Sequence, residues 1–154
     1  MIIDDVKRRA WRDAAKEDLS RYRQAQRDIK DMQDKILTLQ AKAERISRHP
    51  DPDRAAVQTP NPGPEALLIA IADLRSLYGS KQIQAEHVCM EIETRLSRWT
   101  DGVQQRILRS CYLFGQTFER IAVAEDYSYP HIKRLHRRAL ENYGRKLTAK
   151  DDPS

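Results

Sequence analysis

One hundred and fifty-four residues suffice for one ordinary domain, or for a small domain with an extension. A composition of 33% charged, 40% hydrophobic and 6% aromatic residues, with net charge +5, is charge-rich and aromatic-poor for a sandwich or barrel and points to a helix-rich, elongated chain. The longest apolar run, Ala66–Ala72, is too short for a bilayer span, and the opening residues show no secretory leader. Cys89 and Cys111 form neither a CxxC pair nor a Cys/His ligand spacing, so the expectation is a reduced, cytoplasmic setting, with no metal, no cofactor and no membrane.

Residues 1–48 read as one coiled-coil helix. Tyr22, Ile29, Ile36 and Ala43 repeat every seven residues, and Ala25, Met32, Leu39 and Ile46 repeat with an offset of three, an a/d seam over four heptads. Residues 49–64 form a proline-rich linker, because each proline lacks a donor and pushes the residue before it out of helix. Residues 65–100 read as a second coiled-coil helix, with Leu67, Ile71, Leu74, Tyr78, Ala85, Val88, Ile92 and Trp99 on its seam and Lys81 and Arg95 interrupting it. The heptads permit either an antiparallel hairpin within the chain or a homo-oligomeric bundle. Asp101 with Gln104 resembles a capping box for a shorter helix carrying Val103, Ile107, Leu108, Cys111 and Phe114, with Gly115 as its C-terminal cap. Helices over about 117–124 and 129–146 complete a module at 101–147, and 148–154 read as a polar tail. The expected fold is all-α: a coiled-coil hairpin followed by a three-helix helix-turn-helix module.

Charge is divided unevenly along this plan. Residues 1–48 carry +4, residues 49–102 carry −3, residues 103–127 are neutral, and residues 128–147 carry +5. A concentrated basic segment suits a polyanion partner, although charge alone does not separate that from a solvated helix face.

The stretch 117–140 reads as helix, tight turn, helix. Ala122 is the small residue needed where two helices cross closely, and Ile121, Tyr127, Ile132, Leu135 and Ala139 are spaced for an apolar cluster beneath. Ser128 is placed to cap the second helix, and Pro130 falls in its first turn, where proline is tolerated. With Ile132, Leu135 and Ala139 turned inward, Lys133, Arg134, Arg137 and Arg138 face outward or sideways, with Tyr129 and His131 at the leading end. That is how a recognition helix is built: its N-terminal residues meet base edges while longer cations reach phosphates. The candidate DNA-binding residues are Ser128, Tyr129, His131, Lys133, Arg134, Arg137 and Arg138.

Leu108, Tyr112-Leu113, Phe118-Glu119-Arg120-Ile121-Ala122, Tyr127-Ser128, Ile132, Leu135-His136 and Ala139-Leu140 carry a family likeness. Arg106–Leu140 resembles the helix-turn-helix of primary sigma factor region 4, and more closely the short phage-encoded proteins that join a coiled-coil hairpin to that module. The resemblance implies a phage or prophage late-gene transcription regulator of the RinA and ArpU type, binding double-stranded DNA in the bacterial host cytoplasm, with RNA polymerase as a candidate contact. One departure is local: the turn of such proteins holds an apolar residue and then glycine, where this chain has Glu125-Asp126.

Blander readings compete. His131 and His136 are five residues apart and do not share a helix face, so metal binding is not expected. The cluster Lys7-Arg8-Arg9-Arg12 has Asp4, Asp5 and Asp13 beside it, which favours a solvated helix start. No phosphate loop, nucleophile elbow or carboxylate pair specifies catalysis, so the chain is not expected to be an enzyme. The alternative functions are a small terminase-type DNA-packaging subunit and a coiled-coil adaptor that binds only protein.

Overall fold

The computed structural model describes residues 1–48 and 63–150 and is all-α, with no strand among the described residues. Most of the proline-rich linker, residues 49–62, and the end of the polar tail, residues 151–154, lie outside the described residues. The helices are α1 (Ile2–Leu19), α2 (Arg21–Arg48), α3 (Pro64–Trp99), α4 (Gly102–Leu108), α5 (Phe118–Glu125) and α6 (Tyr129–Lys150). A π-helical turn, Arg109–Leu113, continues α4. No described helix is long and apolar enough to cross a membrane.

Three boundaries differ from the sequence reading. The helix expected over 1–48 is bent at Ser20, whose ψ is −8°. Helical hydrogen bonding continues through the bend, from Ser20 N–H to Lys16 O at 2.9 Å and from Gln24 N–H to Ser20 O at 3.0 Å. Arg21 Nε donates to the Asp18 carbonyl at 3.2 Å, a side-chain intrusion of the kind that bends helices. Pro64, at the sequence boundary between linker and second helix and suited to a first helical turn, is the first residue of α3, and α6 runs to Lys150 rather than ending near 146. Proline fits a first helical position because the amide it lacks would have no acceptor there.

The chain divides into two compact units. One is Ala25–Gln84, formed by α2 and the first part of α3. From Ala25 to Arg48 the residues turned from solvent are Ala25, Ile29, Met32, Ile36, Leu39, Gln40, Ala43 and Ile46, so burial follows the heptad seam. On α3 Leu67 and Ile71 are buried, and Leu74 lines a groove with Asp31, Asp34, Lys35, Thr38 and Leu39 of α2.

The other unit joins Met1–Gln24 to the chain from Ala85 onward. Its larger apolar cluster takes Ala15 and Leu19 from α1, Ile92 and Leu96 from α3, Leu108 and Leu113 from α4 and its continuation, and Ala139, Leu140 and Tyr143 from α6. Ile107, Ile121, Ala122 and Ile132 form a second cluster, flanked by Val103, Cys111, Phe118 and Leu135. Adjacent residues Ile107 and Leu108 thus serve different clusters, as neighbours about 100° apart on a helix must.

A polar junction ties four helices beside the larger cluster. Asp18 accepts from Arg95 Nη1 at 2.6 Å, from Arg21 Nε at 3.0 Å and from the Tyr143 hydroxyl at 2.5 Å. Burial, reinforced by Asp18, pushes the Tyr143 hydroxyl well above its ordinary pKa, so it keeps its proton and donates. Arg95, read as an interruption of the α3 seam, is therefore paired, and its guanidinium also lies 5.7 Å from the Trp99 ring centroid. Trp99 meets Tyr143 edge-on at 5.1 Å.

The capping box expected at Asp101 is not made. Asp101 has no side-chain cap bond, and Gln104 Oε1 accepts from Asn142 Nδ2 of α6 at 2.9 Å instead. Gly115 does follow the end of the π-helical turn, with φ of +65°, a region open to glycine at little cost.

Candidate nucleic-acid interface

Local chemistry fixes α5, the turn after it and the start of α6. Thr117 is extended at φ −77°, ψ 158°, and its hydroxyl accepts from Arg120 N–H at 3.3 Å, capping α5. Asp126 ends α5 in the left-handed region at φ 57°, ψ 43°. Its amide reaches Val123 O at 3.3 Å, and the Tyr127 amide reaches Ala122 O at 3.0 Å. Ser128 Oγ then accepts from His131 N–H at 3.3 Å and caps α6, leaving Pro130 in the first turn.

Ala122 is 8% exposed and packs with Ile121 and Ile132, so the small residue sits among the contacts between α5 and α6. Tyr127 corrects the expected cluster: it is 43% exposed, and its ring meets His131 edge-on at 4.8 Å. Glu125 turns away from the apolar interior. Its carboxylate takes a two-pronged contact from Arg106, with Nε to Oε1 at 2.8 Å and Nη2 to Oε2 at 2.9 Å. The hydrogen bond from Arg106 holds the Glu125 carboxyl below the usual carboxylate range, against a smaller opposing effect of burial.

Behind the leading end of α6 lies an aromatic group. His136 Nε2 is 3.0 Å from the Tyr112 hydroxyl, and the Phe118 ring meets His136 at 4.8 Å and Tyr129 at 6.3 Å. Burial, aided by the charge of Lys16, lowers the His136 pKa to about 4, so its imidazole is neutral at pH 7.

The sequence-nominated residues divide by what they touch. Ser128 is spent on the cap, Tyr129 packs against Phe118, and His131 packs against Tyr127. Lys133 is exposed with its ammonium 5.0 Å from the Tyr129 ring centroid. Arg134, Arg137 and Arg138 are exposed and make no ion pair or hydrogen bond among the described residues. Their i, i+3 and i+4 spacing sets them on one side of α6. Glu141, the lone acid between Ser128 and Leu147, is drawn off by Arg12 of α1 at 2.6 Å. The side of α6 that bears the three free guanidiniums thus carries no unpaired acid.

Three supports of this surface escaped the sequence reading. Thr117 had a local signal, a threonine directly before an amphipathic run. Arg106–Glu125 and Arg12–Glu141 had none, since their partners lie 19 and 129 residues apart. Among the described residues no group of three His, Cys, Asp or Glu side chains forms a set of metal ligands. Comparison with known protein families, with curated proteins and with solved structures finds no match for this chain.

Proposed function

We propose that the protein is a sequence-specific double-stranded DNA-binding regulator of phage or prophage transcription, with α5, its turn and α6 acting as the helix-turn-helix. The observation that carries this reading is the row of unpaired, exposed guanidiniums at Arg134, Arg137 and Arg138, on a helix whose other side is anchored in two apolar clusters. Unpaired cations on a rigid support cost little reorganisation when they meet phosphate. Tyr129, His131, Lys133 and Arg134, nearer the start of α6, are assigned to groove and base contact. Arg137 and Arg138 are assigned to phosphates.

Electrophoretic binding over a salt series tests the assignment. Arg134→Ala is expected to relax sequence preference by about 1–3 kcal/mol at one base position. Arg138→Ala is expected to weaken all duplexes alike and to reduce the slope of log K against log salt by about 1. Failure of the wild-type chain to retain any duplex at low salt overturns the reading in favour of a protein-only adaptor. Fragments selected from phage DNA are expected to lie near promoters, and recovery of packaging sites alone identifies a terminase subunit instead.

A further inference from the structure

Arg12 is more than the neutraliser of Glu141, because its contact fixes which side of α1 adjoins which side of α6. Two further observations set the register. The backbone of Trp11 lies so close to Gly144 that a Cβ there would come within 1.8 Å of the Trp11 carbonyl oxygen. Ala15 and Leu19 share a buried cluster with Ala139, Leu140 and Tyr143, and the charge of Lys16 acts on His136. The order Trp11 to Gly144, Arg12 to Glu141 and Lys16 to His136 runs one helix against the other.

On α1, Arg9, Arg12 and Lys16 are spaced i, i+3 and i+7 and share one side. On α6, Arg134, Arg137, Arg138, Glu141 and Arg145 are spaced i, i+3, i+4, i+7 and i+11 and likewise share one side. Arg12 and Glu141, one from each row, touch, so the two rows adjoin. Arg9, Lys16 and Arg145 are exposed, and their side chains make no ion pair or hydrogen bond among the described residues. Asp13 of α1 lies further round the helix from α6 than Arg9 or Lys16 does, and Asp5, which shares their side, lies one turn beyond Arg9 toward the start of α1.

We infer that the DNA-binding surface is two helices wide, with Arg9 and Lys16 of α1 contacting the phosphodiester backbone beside Arg137, Arg138 and Arg145 of α6. This inference rests on the proposed reading of α6 and extends it to a helix that reading leaves out. The dimensions fit a backbone contact. Arg134 and Arg145 are separated by about 16 Å along α6 at 1.5 Å per residue. A major groove is about 12 Å wide, so cations at the far end of the row, and those of α1 beside them, meet phosphates rather than base edges. Contacts of this kind carry no sequence information and add to affinity through counterion release.

The test measures binding of the full chain to random-sequence duplex DNA and to its preferred fragment, for wild type, Arg9→Gln/Lys16→Gln and Arg137→Gln/Arg138→Gln. Each phosphate contact contributes about 0.9 to the salt slope, so loss of Arg9 and Lys16 is expected to lower it by about 1.8. Over a fourfold rise in salt that difference amounts to about tenfold in relative affinity, the same for both duplexes, with sequence preference unchanged. Arg9→Lys/Lys16→Arg is expected to restore the slope, and the thermal melt of each α1 variant to match wild type. If wild type binds and the α6 variant weakens while the α1 variant keeps wild-type affinity and slope, the two-helix surface is overturned and the α6 reading stands. If wild type binds no duplex, both fall.

Discussion

His136 shows how a single residue is decided by what surrounds it. Its position on a basic helix, five residues after His131, allows a packing role but does not name Tyr112 and Phe118, against which it is half-buried. Burial first, and the charge of Lys16 second, hold its pKa down at about 4 in the folded chain, while an unfolded histidine titrates near 6.5. Between those two values the unfolded chain takes up a proton that the folded chain refuses. The stabilisation from keeping the ring neutral is therefore complete above about pH 6.5 and is lost as pH falls through about 4. Its full size is on the order of 3 kcal/mol. Urea midpoints measured from pH 7 to pH 4 are expected to fall for wild type and to fall less for His136→Phe. Parallel curves for the two proteins would place the acid sensitivity elsewhere. Asp126 is the contrasting case, since its local chemistry was readable: aspartate tolerates the left-handed conformation that it adopts at φ 57°.

At the scale of the helix, repeats were legible and cross-chain partners were not. A seven-residue period appears in sequence because one side of a helix must be apolar throughout, and burial in α2 keeps to that period. The bend at Ser20 left no such mark, because it coincides with a junction whose members are scattered. Asp18 meets Arg95 from 77 residues away and Tyr143 from 125 away. Gly144 belongs to the same class. Within α6 a glycine costs roughly 1 kcal/mol relative to alanine, so by propensity alone Gly144→Ala is stabilising. Packing reverses the sign, because the added Cβ would lie 1.8 Å from the Trp11 carbonyl oxygen and 2.5 Å from its carbon. Backbone cannot swing aside as a flexible side chain can, so α1 must lift from α6. A net destabilisation of about 2–3 kcal/mol is expected, read as a lower melting temperature together with faster proteolytic cleavage within α1. A melt equal to or above wild type would mean that the two backbones are not in contact.

Across the whole molecule, the sequence reading treated residues 101–147 as a module hung on a separate coiled coil, and the packing distributes that module's interior over both ends of the chain. Apolar spacing identifies which side of a helix is buried, as it did for Ile132 and Ala139, but it does not name the covering element. Here α1 and the end of α3 cover Leu108, Leu113, Ala139, Leu140 and Tyr143 with Ala15, Leu19, Ile92 and Leu96. Only the smaller cluster of Ile107, Ile121, Ala122 and Ile132 lies wholly within 101–150. A fragment of residues 101–150 therefore re-exposes part of five buried side chains, at a cost of several kcal/mol and at most about 10 kcal/mol, since full burial of a large apolar side chain contributes about 1.5–3 kcal/mol. That is comparable with the entire stability of an ordinary domain, about 5–15 kcal/mol. The fragment is expected to show reduced helicity by circular dichroism and a broad, non-cooperative melt, where the full chain melts sharply. Adding a peptide of residues 1–24 is not expected to restore the transition, because Ile92 and Leu96 are still missing. A sharp melt of the fragment near the full-chain temperature would show that α6 needs neither α1 nor α3 to hold its shape.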